Sequence, residues 1–204
     1  MKLSEELVRD LLEIKAVQIN PDNYFTWTSG IKSPIYCDNR LTMSYPGIRR
    51  KITNSFMEQI EALNVKPDII AGCATAGIPH AAWLADRLNL PMVYVRSKPK
   101  GHGKGNQIEG ELTKGKKVLV IEDLISTGGS ALEAVKVLQQ EGAEVMAVFA
   151  IFTYGLEKSI VNFSNANVPF QTIASFDTLI DRLVEDGKME HNVKVELLSW
   201  RNNL

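Results

Sequence analysis

The chain has 204 residues, 45% of them hydrophobic, and its 23 Lys plus Arg against 24 Asp plus Glu leave a net charge of −1. That length suits a single domain with a sizeable core, and the charge balance argues against nucleic acid or a membrane surface as a partner, so an anionic ligand must be held locally. The two cysteines, Cys37 and Cys73, are too few and too differently placed for a disulfide framework or a metal site, and the expected setting is a reducing cytoplasm.

The opening stretch "MKLSEELVRDLLEIKAV" places Leu7, Val8, Leu11, Leu12 and Ile14 at helical spacing, which predicts an amphipathic helix with Ser4 as its cap. It is acidic, and no apolar run approaches the ~20 residues of a transmembrane helix, so neither a targeting signal nor a span is expected. Residues 20–40, "NPDNYFTWTSGIKSPIYCDNR", mix turn formers with aromatics. They predict short strands or loops outside the main sheet, a small flap or hood built from about residues 1–45.

From about residue 48 a helical pattern leads through Pro67 into "DIIAGCATAGIPHAAWLADRLNL", which reads as strand, glycine-containing loop and helix. "PMVYVR" follows as a strand, then a long polar segment, then "VLVIED" as a strand and "GSALEAVKVLQQEGAEVMAVFAIF" as a helix and a further strand, with Gly142 where a helix C-terminal glycine belongs. A short strand near 168–173 and one or two helices close the chain. Continuously apolar strands alternating with helices predict an α/β fold, a parallel sheet covered on both faces. No internal repeat or long linker divides residues 1–204. His80, at a helix start, reads as a packed or capping residue, and neither it nor His191 has metal-ligand spacing.

The most informative stretch is "VLVIEDLISTGGS", residues 118–130. In an open parallel sheet, ligands gather at the carboxyl ends of strands, where Glu122 and Asp123 are expected. Gly128 and Gly129 can turn the backbone tightly and aim N–H groups at one point, while Ser126, Thr127 and Ser130 supply hydroxyls at the start of the next helix. Such a cradle suits a phosphate monoester. It is neither a Walker loop, since it has no lysine, nor a dinucleotide fingerprint, whose glycine spacing differs. Carboxylates repel phosphate, so the two features fit one ligand only if hydroxyls lie beside its phosphate, as in a ribose 5-phosphate. The plain alternative is an acid pair that ends a strand and caps a helix.

This stretch resembles the phosphoribosyl pyrophosphate binding motif of the type I phosphoribosyltransferases. The resemblance implies a parallel core of about five strands flanked by helices, a hood, Mg²⁺, and transfer of ribose 5-phosphate to a nitrogen nucleophile with loss of pyrophosphate. It implies that Leu124, Ile125, Ser126, Thr127, Gly128, Gly129 and Ser130 hold the 5-phosphate, and that Glu122 and Asp123 meet the ribose hydroxyls, with Mg²⁺ bound through substrate oxygens nearby. Thr75 and Ala76 of "GCATAGIP" would offer backbone N–H groups to pyrophosphate. Purine-salvage relatives acting on hypoxanthine carry an aspartate at the position of Ser126, which argues against a 6-oxopurine.

"FTWTSGIKSPIYCDNR", residues 25–40, is similar to the flap of the orotate phosphoribosyltransferases, which implies orotate against Lys32, Tyr36, Cys37 and Ser126. Taken without that likeness it reads equally as a surface hairpin. The segment "RSKPKGHGKGNQIEGE", residues 96–111, has four glycines and the cations Arg96, Lys98, Lys100 and Lys104 beside His102. It reads as a mobile lid over a polyanion, residues 97–111, or as a solvated loop. By the resemblance Arg96, Lys100 and His102 hold pyrophosphate, Lys100, His102, Glu122 and Asp123 form the catalytic set, and the lid reaches into the neighbouring site of a homodimer. Thr28 and Ala76 stand where orotate enzymes commonly carry lysines, and Tyr154 lies near the position where some carry an arginine. The implied activity joins orotate to phosphoribosyl pyrophosphate on the route to UMP. The competing readings are a salvage enzyme for adenine, xanthine or uracil, and a non-catalytic sensor of phosphoribosyl pyrophosphate.

Overall fold

A computed structural model of the chain describes residues 3–27, 30–98 and 106–204. The helix α1 (Leu3–Glu13) buries Leu7, Val8 and Leu11 completely, as their spacing predicts, and each such burial contributes about 1.5–3 kcal/mol. The helix already includes Leu3, so Ser4 lies inside its first turn and is not the cap expected of it. Four short strands follow, β1 (Val17–Ile19), β2 (Phe25–Thr26), β3 (Lys32–Ser33) and β4 (Ile35–Cys37). β1 pairs with β4 and β2 with β3, giving two small antiparallel ribbons outside the main sheet.

A 3-10 turn over Asn39–Ser44 leads into α2 (Pro46–Glu61), where Pro46 occupies the first helical turn, the one place its missing N–H costs nothing. The chain then alternates as β5 (Ile69–Cys73), α3 (Gly77–Leu88), β6 (Met92–Val95), β7 (Ile108–Glu109), β8 (Lys117–Ile125), α4 (Gly129–Gln140), β9 (Glu144–Thr153), α5 (Glu157–Asn165) and β10 (Phe170–Ser175). Two helices, α6 (Phe176–Glu185) and α7 (His191–Asn202), end it. A capping box between Ser175 and Thr178 starts α6. The last strand begins and ends two residues later than the apolar pattern suggests, because Ala174 and Ser175 pair with Phe152 and Thr153 of β9.

The main sheet has six strands in the order β10-β9-β8-β5-β6-β7. Five are mutually parallel, as expected, and the two-residue β7 adds an antiparallel edge beside β6. Both faces are covered. Leu119 and Ile121 of β8 point into one core with α1, α2, α3 and α6, while Val118 and Val120 point into the other with α4. The connections from β5 and β8 therefore leave toward opposite faces, α3 on one side and α4 on the other. At such a divergence the carboxyl ends of two neighbouring strands leave a crevice, the usual ligand position in an open α/β sheet. Among the described residues no helix is long and apolar enough to cross a membrane.

Candidate active site

The crevice between the carboxyl ends of β5 and β8 has walls made of backbone. A Cβ on Gly77 would lie 2.4 Å from the Ile121 carbonyl oxygen and 3.3 Å from the Glu122 Cα, so the start of α3 can sit against β8 only because residue 77 has no side chain. Thr75 and Ala76 thereby come beside the acid pair. The Ala74–Thr75 peptide is cis. Neither Ala76, the N-cap of α3, nor Gly128, the N-cap of α4, has a side-chain capping bond. Two helix N-termini thus bring orphan N–H groups and the positive ends of their dipoles to one crevice.

Glu122 and Asp123 lie inside β8, and the strand continues through Leu124 to Ile125. This corrects the expectation that the pair ends the strand and that residues 124 and 125 belong to the loop. The extension follows from pairing, since Leu124 and Ile125 oppose Phe152 and Thr153 of β9. Glu122 is buried, and its Oε1 accepts the Asp123 N–H at 2.9 Å. Burial, then the Asp123 carboxyl beside it, pushes the Glu122 carboxyl well above the usual carboxylate range. The Cys73 thiol lies beside the same carboxyl, and burial, then the Glu122 charge, pushes that thiol up. A carboxyl held above its usual range takes up a proton more readily, which lessens the negative charge that a neighbouring anion must meet.

The loop after β8 is shaped by residues far away in sequence. Gly128 has φ +82, and a Cβ there would meet the Phe163 ring at 2.6 Å. Both the left-handed backbone and the ring disfavour any other residue. Asn162 Nδ2 donates to the Thr127 carbonyl at 2.9 Å. Thr153 Oγ1 donates to the Ile125 carbonyl at 3.0 Å and accepts the Gly155 N–H at 3.1 Å. Ser126 and Thr127 are half-buried, Gly129 and Ser130 exposed.

On the other side of Asp123 stand the small ribbons. Asn39, itself buried, donates from Nδ2 to the Asp123 carbonyl at 2.7 Å. Cys37 is close enough that, after burial, the Asp123 charge is the next cause pushing its thiol up. Tyr154 stacks on Trp27 with ring centroids 4.7 Å apart. Burial, then the neighbouring Cys37, pushes its phenol up. The position near which an arginine was expected thus carries a buried ring that seats the ribbons on the sheet. Trp27 Nε1 donates to the Ile35 carbonyl, and Trp200 Nε1 reaches from α7 to the Lys32 carbonyl. Lys32 itself is exposed, with its ammonium donating to Thr26 Oγ1 at 2.6 Å. Tyr36 lies tilted against Phe25.

The structure brings Glu122, Asp123, residues 126–130, Thr75, Ala76 and Cys37 to one crevice. Arg96 stands at the end of β6, ion-paired through Nη1 with Glu109 Oε1 at 3.3 Å, while its backbone N–H donates to the Gln107 carbonyl. Ile108–Glu109, from the segment expected to be a lid, joins the sheet as β7. Lys100, His102, Lys104 and Thr28 lie outside the described residues. His80 is buried, its Nε2 is 3.4 Å from Thr42 Oγ1 and its ring stands edge-on to Trp83. Burial, helped by Arg49, lowers its pKa to about 4. It packs, as its position suggested. Sequence reasoning missed Asn39, Cys73, Asn162 and Phe163 as supports of the site, since none belongs to a contiguous motif around the acid pair.

An acid pair on the central strand, leading into an uncapped helix N-terminus at the divergence of a doubly covered parallel sheet, defines the phosphoribosyltransferase class. The family described as the phosphoribosyl transferase domain matches residues 43–161. Similar proteins include the orotate phosphoribosyltransferase of Oceanobacillus iheyensis, 62% identical over 99% of this chain and 100% of its own. Among solved structures, the orotate phosphoribosyltransferase of Aeropyrum pernix superimposes with a TM-score of 0.77 at 29% identity, covering 90% of this chain and 99% of its own. The UMP synthase of Leishmania donovani matches 97% of this chain at a TM-score of 0.79 and 28% identity, and the chain spans 42% of its length. The chain belongs to the family of orotate phosphoribosyltransferases.

Proposed function

We propose that this protein catalyses the reaction of orotate with phosphoribosyl pyrophosphate to give orotidine 5'-phosphate and pyrophosphate, a step of UMP biosynthesis. The observation that carries the chemistry is the acid pair on β8 placed directly before the uncapped N-terminus of α4. A ligand that needs both must carry hydroxyls close to a phosphate monoester. The choice of orotate rests on full-length relatives of that name.

In this reading residues 126–130 hold the 5-phosphate by backbone N–H groups and hydroxyls, while Asp123 and Glu122 accept or donate to the ribose hydroxyls. Breaking the C1–O bond develops positive charge on the sugar and negative charge on pyrophosphate. The negative charge of the acid pair favours the first; Arg96, Lys100, His102 and the N–H groups near Thr75 and Ala76 favour the second. Orotate lies under the hood of residues 1–45, against Lys32, Tyr36, Cys37 and Ser126, and its acidic ring nitrogen needs no strong protein base. The segment between β6 and β7 serves as the lid, reaching the neighbouring site of a homodimer and excluding water, while Ile108–Glu109 of the expected lid stays in the sheet.

Among the described residues no cluster of three or more His, Cys, Asp or Glu could hold a metal ion. In this reading Mg²⁺ would be held chiefly through substrate oxygens, with one carboxylate of the pair close by. When bound there it neutralises charge on the leaving pyrophosphate. A cytoplasmic location agrees with this set of substrates.

The test is the fall in orotate absorbance on adding phosphoribosyl pyrophosphate and Mg²⁺, with adenine, hypoxanthine, xanthine and uracil followed in parallel by pyrophosphate release. Consumption of orotate alone is expected. Turnover of another base would overturn the hood assignment, and no release with any base would leave a sensor as the better reading.

A further inference from the structure

We infer that Asn162 is a positioning residue of the phosphate cradle, acting through the Thr127–Gly128 peptide; the inference rests on the reading of residues 126–130 as the 5-phosphate site. Its amide lies on α5, outside the motif, and donates to the Thr127 carbonyl at 2.9 Å. In a trans peptide the C=O and the following N–H point in opposite directions. A Thr127 carbonyl held against α5 therefore turns the Gly128 N–H away from α5, to the open side of the loop where α4 begins.

A second contact from the same helix fixes the same peptide. The Phe163 ring occupies the place where a Gly128 Cβ would stand, 2.6 Å away, and φ +82 at Gly128 sets how the next N–H follows. Asn162 and Phe163 are adjacent in α5, so one turn of one helix holds the carbonyl and backs the glycine. No side chain caps α4 at Gly128. An anion is then the partner for which these N–H groups are arranged, and without the amide the peptide can rotate its N–H out of the cradle. The free energy of reorientation would be drawn from phosphate binding, a ground-state loss shared by the transition state.

The experiment compares wild type with Asn162→Ala and Asn162→Gln, reading the dissociation constant for ribose 5-phosphate by calorimetry alongside kcat and both KM values. Asn162→Ala should weaken ribose 5-phosphate binding and raise KM for phosphoribosyl pyrophosphate about tenfold, equivalent to about 1.4 kcal/mol. kcat and KM for orotate should stay within about twofold, and Asn162→Gln, which keeps the donor, should recover part of the loss. Unchanged ribose 5-phosphate affinity in Asn162→Ala would overturn the inference. So would a uniform fall in kcat and both affinities alongside Tm, the pattern of a merely structural residue. The binding readout needs no orotate: a wild type that binds ribose 5-phosphate but leaves orotate untouched would sink the proposed reaction, and the Asn162→Ala affinity ratio would still decide this point.

Discussion

The two halves of the crevice are built in different ways. The half proposed to hold the phosphate is a single run of chain, β8 into α4, whose strand is paired on both sides and whose loop is held from behind by Asn162 and Phe163. The half proposed to cover the base is made of two- and three-residue strands held in place by side chains distant in sequence: Asn39 on the Asp123 carbonyl, Trp27 on Tyr154, Trp200 on the Lys32 carbonyl. A paired strand and a helix N-terminus place a phosphate by backbone geometry, which tolerates little substitution. Ribbons held by aromatic stacking and single amides can shift with a ligand, a natural property for a cover that must admit a base.

The contrast is broken most severely at Gly128. Gly128→Ala meets both a positive φ and the Phe163 ring; it should cost about 2–3 kcal/mol of stability and lower kcat/KM for phosphoribosyl pyrophosphate at least about a hundredfold. Chemical denaturation and initial rates check this, and near-normal values would mean that the loop is not the rigid half. Next in size is Lys100→Ala. It should lower turnover about a hundredfold, in the range of lost transition-state charge stabilisation, with the unfolding midpoint unchanged; a normal turnover number would remove Lys100 from the catalytic set.

Asn39→Ala sharpens the comparison from the other side. Removing the amide leaves the Asp123 carbonyl without its link to the ribbons, a loss of about 0.5–1.5 kcal/mol, so kcat/KM for orotate should fall up to about tenfold. Ribose 5-phosphate affinity should change far less. Equal losses for both substrates would show that the two halves respond as one unit.

The smallest effect on ligand binding lies outside both halves. His80 has its pKa lowered from 6.5 to about 4 by burial and then Arg49. Between those values the unfolded chain binds a proton that the folded one refuses, so this contribution to stability is full above pH 6.5 and lost as pH falls toward 4, by at most about 3 kcal/mol. His80→Gln should flatten the fall of stability with acid over that window without changing ribose 5-phosphate affinity at pH 7. Parallel stability curves for variant and wild type would contradict the assignment.

The same division explains what the sequence disclosed. Five parallel strands, their helices and the glycine-containing turn into α4 were legible because apolar runs, the acid pair and the glycines are contiguous. The course of β8 through Leu124 and Ile125 was not, since its cause is pairing with Phe152 and Thr153 of another strand. The edge strand Ile108–Glu109 was hidden in a glycine-rich polar segment, and its burial depends on β6. Asn39, Cys73 and Asn162 act through single contacts across 84, 49 and 35 positions of chain, separations at which one sequence carries no pattern. Tyr154 was noticed only as a missing arginine, while its stacking on Trp27 needs the folded ribbon beside it.

The central claim is the location of the ligand in the crevice between β5 and β8. A crystal structure with phosphoribosyl pyrophosphate and Mg²⁺ bound tests it most directly. The 5-phosphate is expected within hydrogen-bonding distance of the Gly128 and Gly129 N–H groups, with the ribose hydroxyls at Asp123 and Glu122. The basic groove between α2 and α3, lined by Arg49, Arg50, Arg87 and Trp83, is the other obvious place for a polyanion. A ligand found there, with residues 126–130 unengaged, would contradict the account.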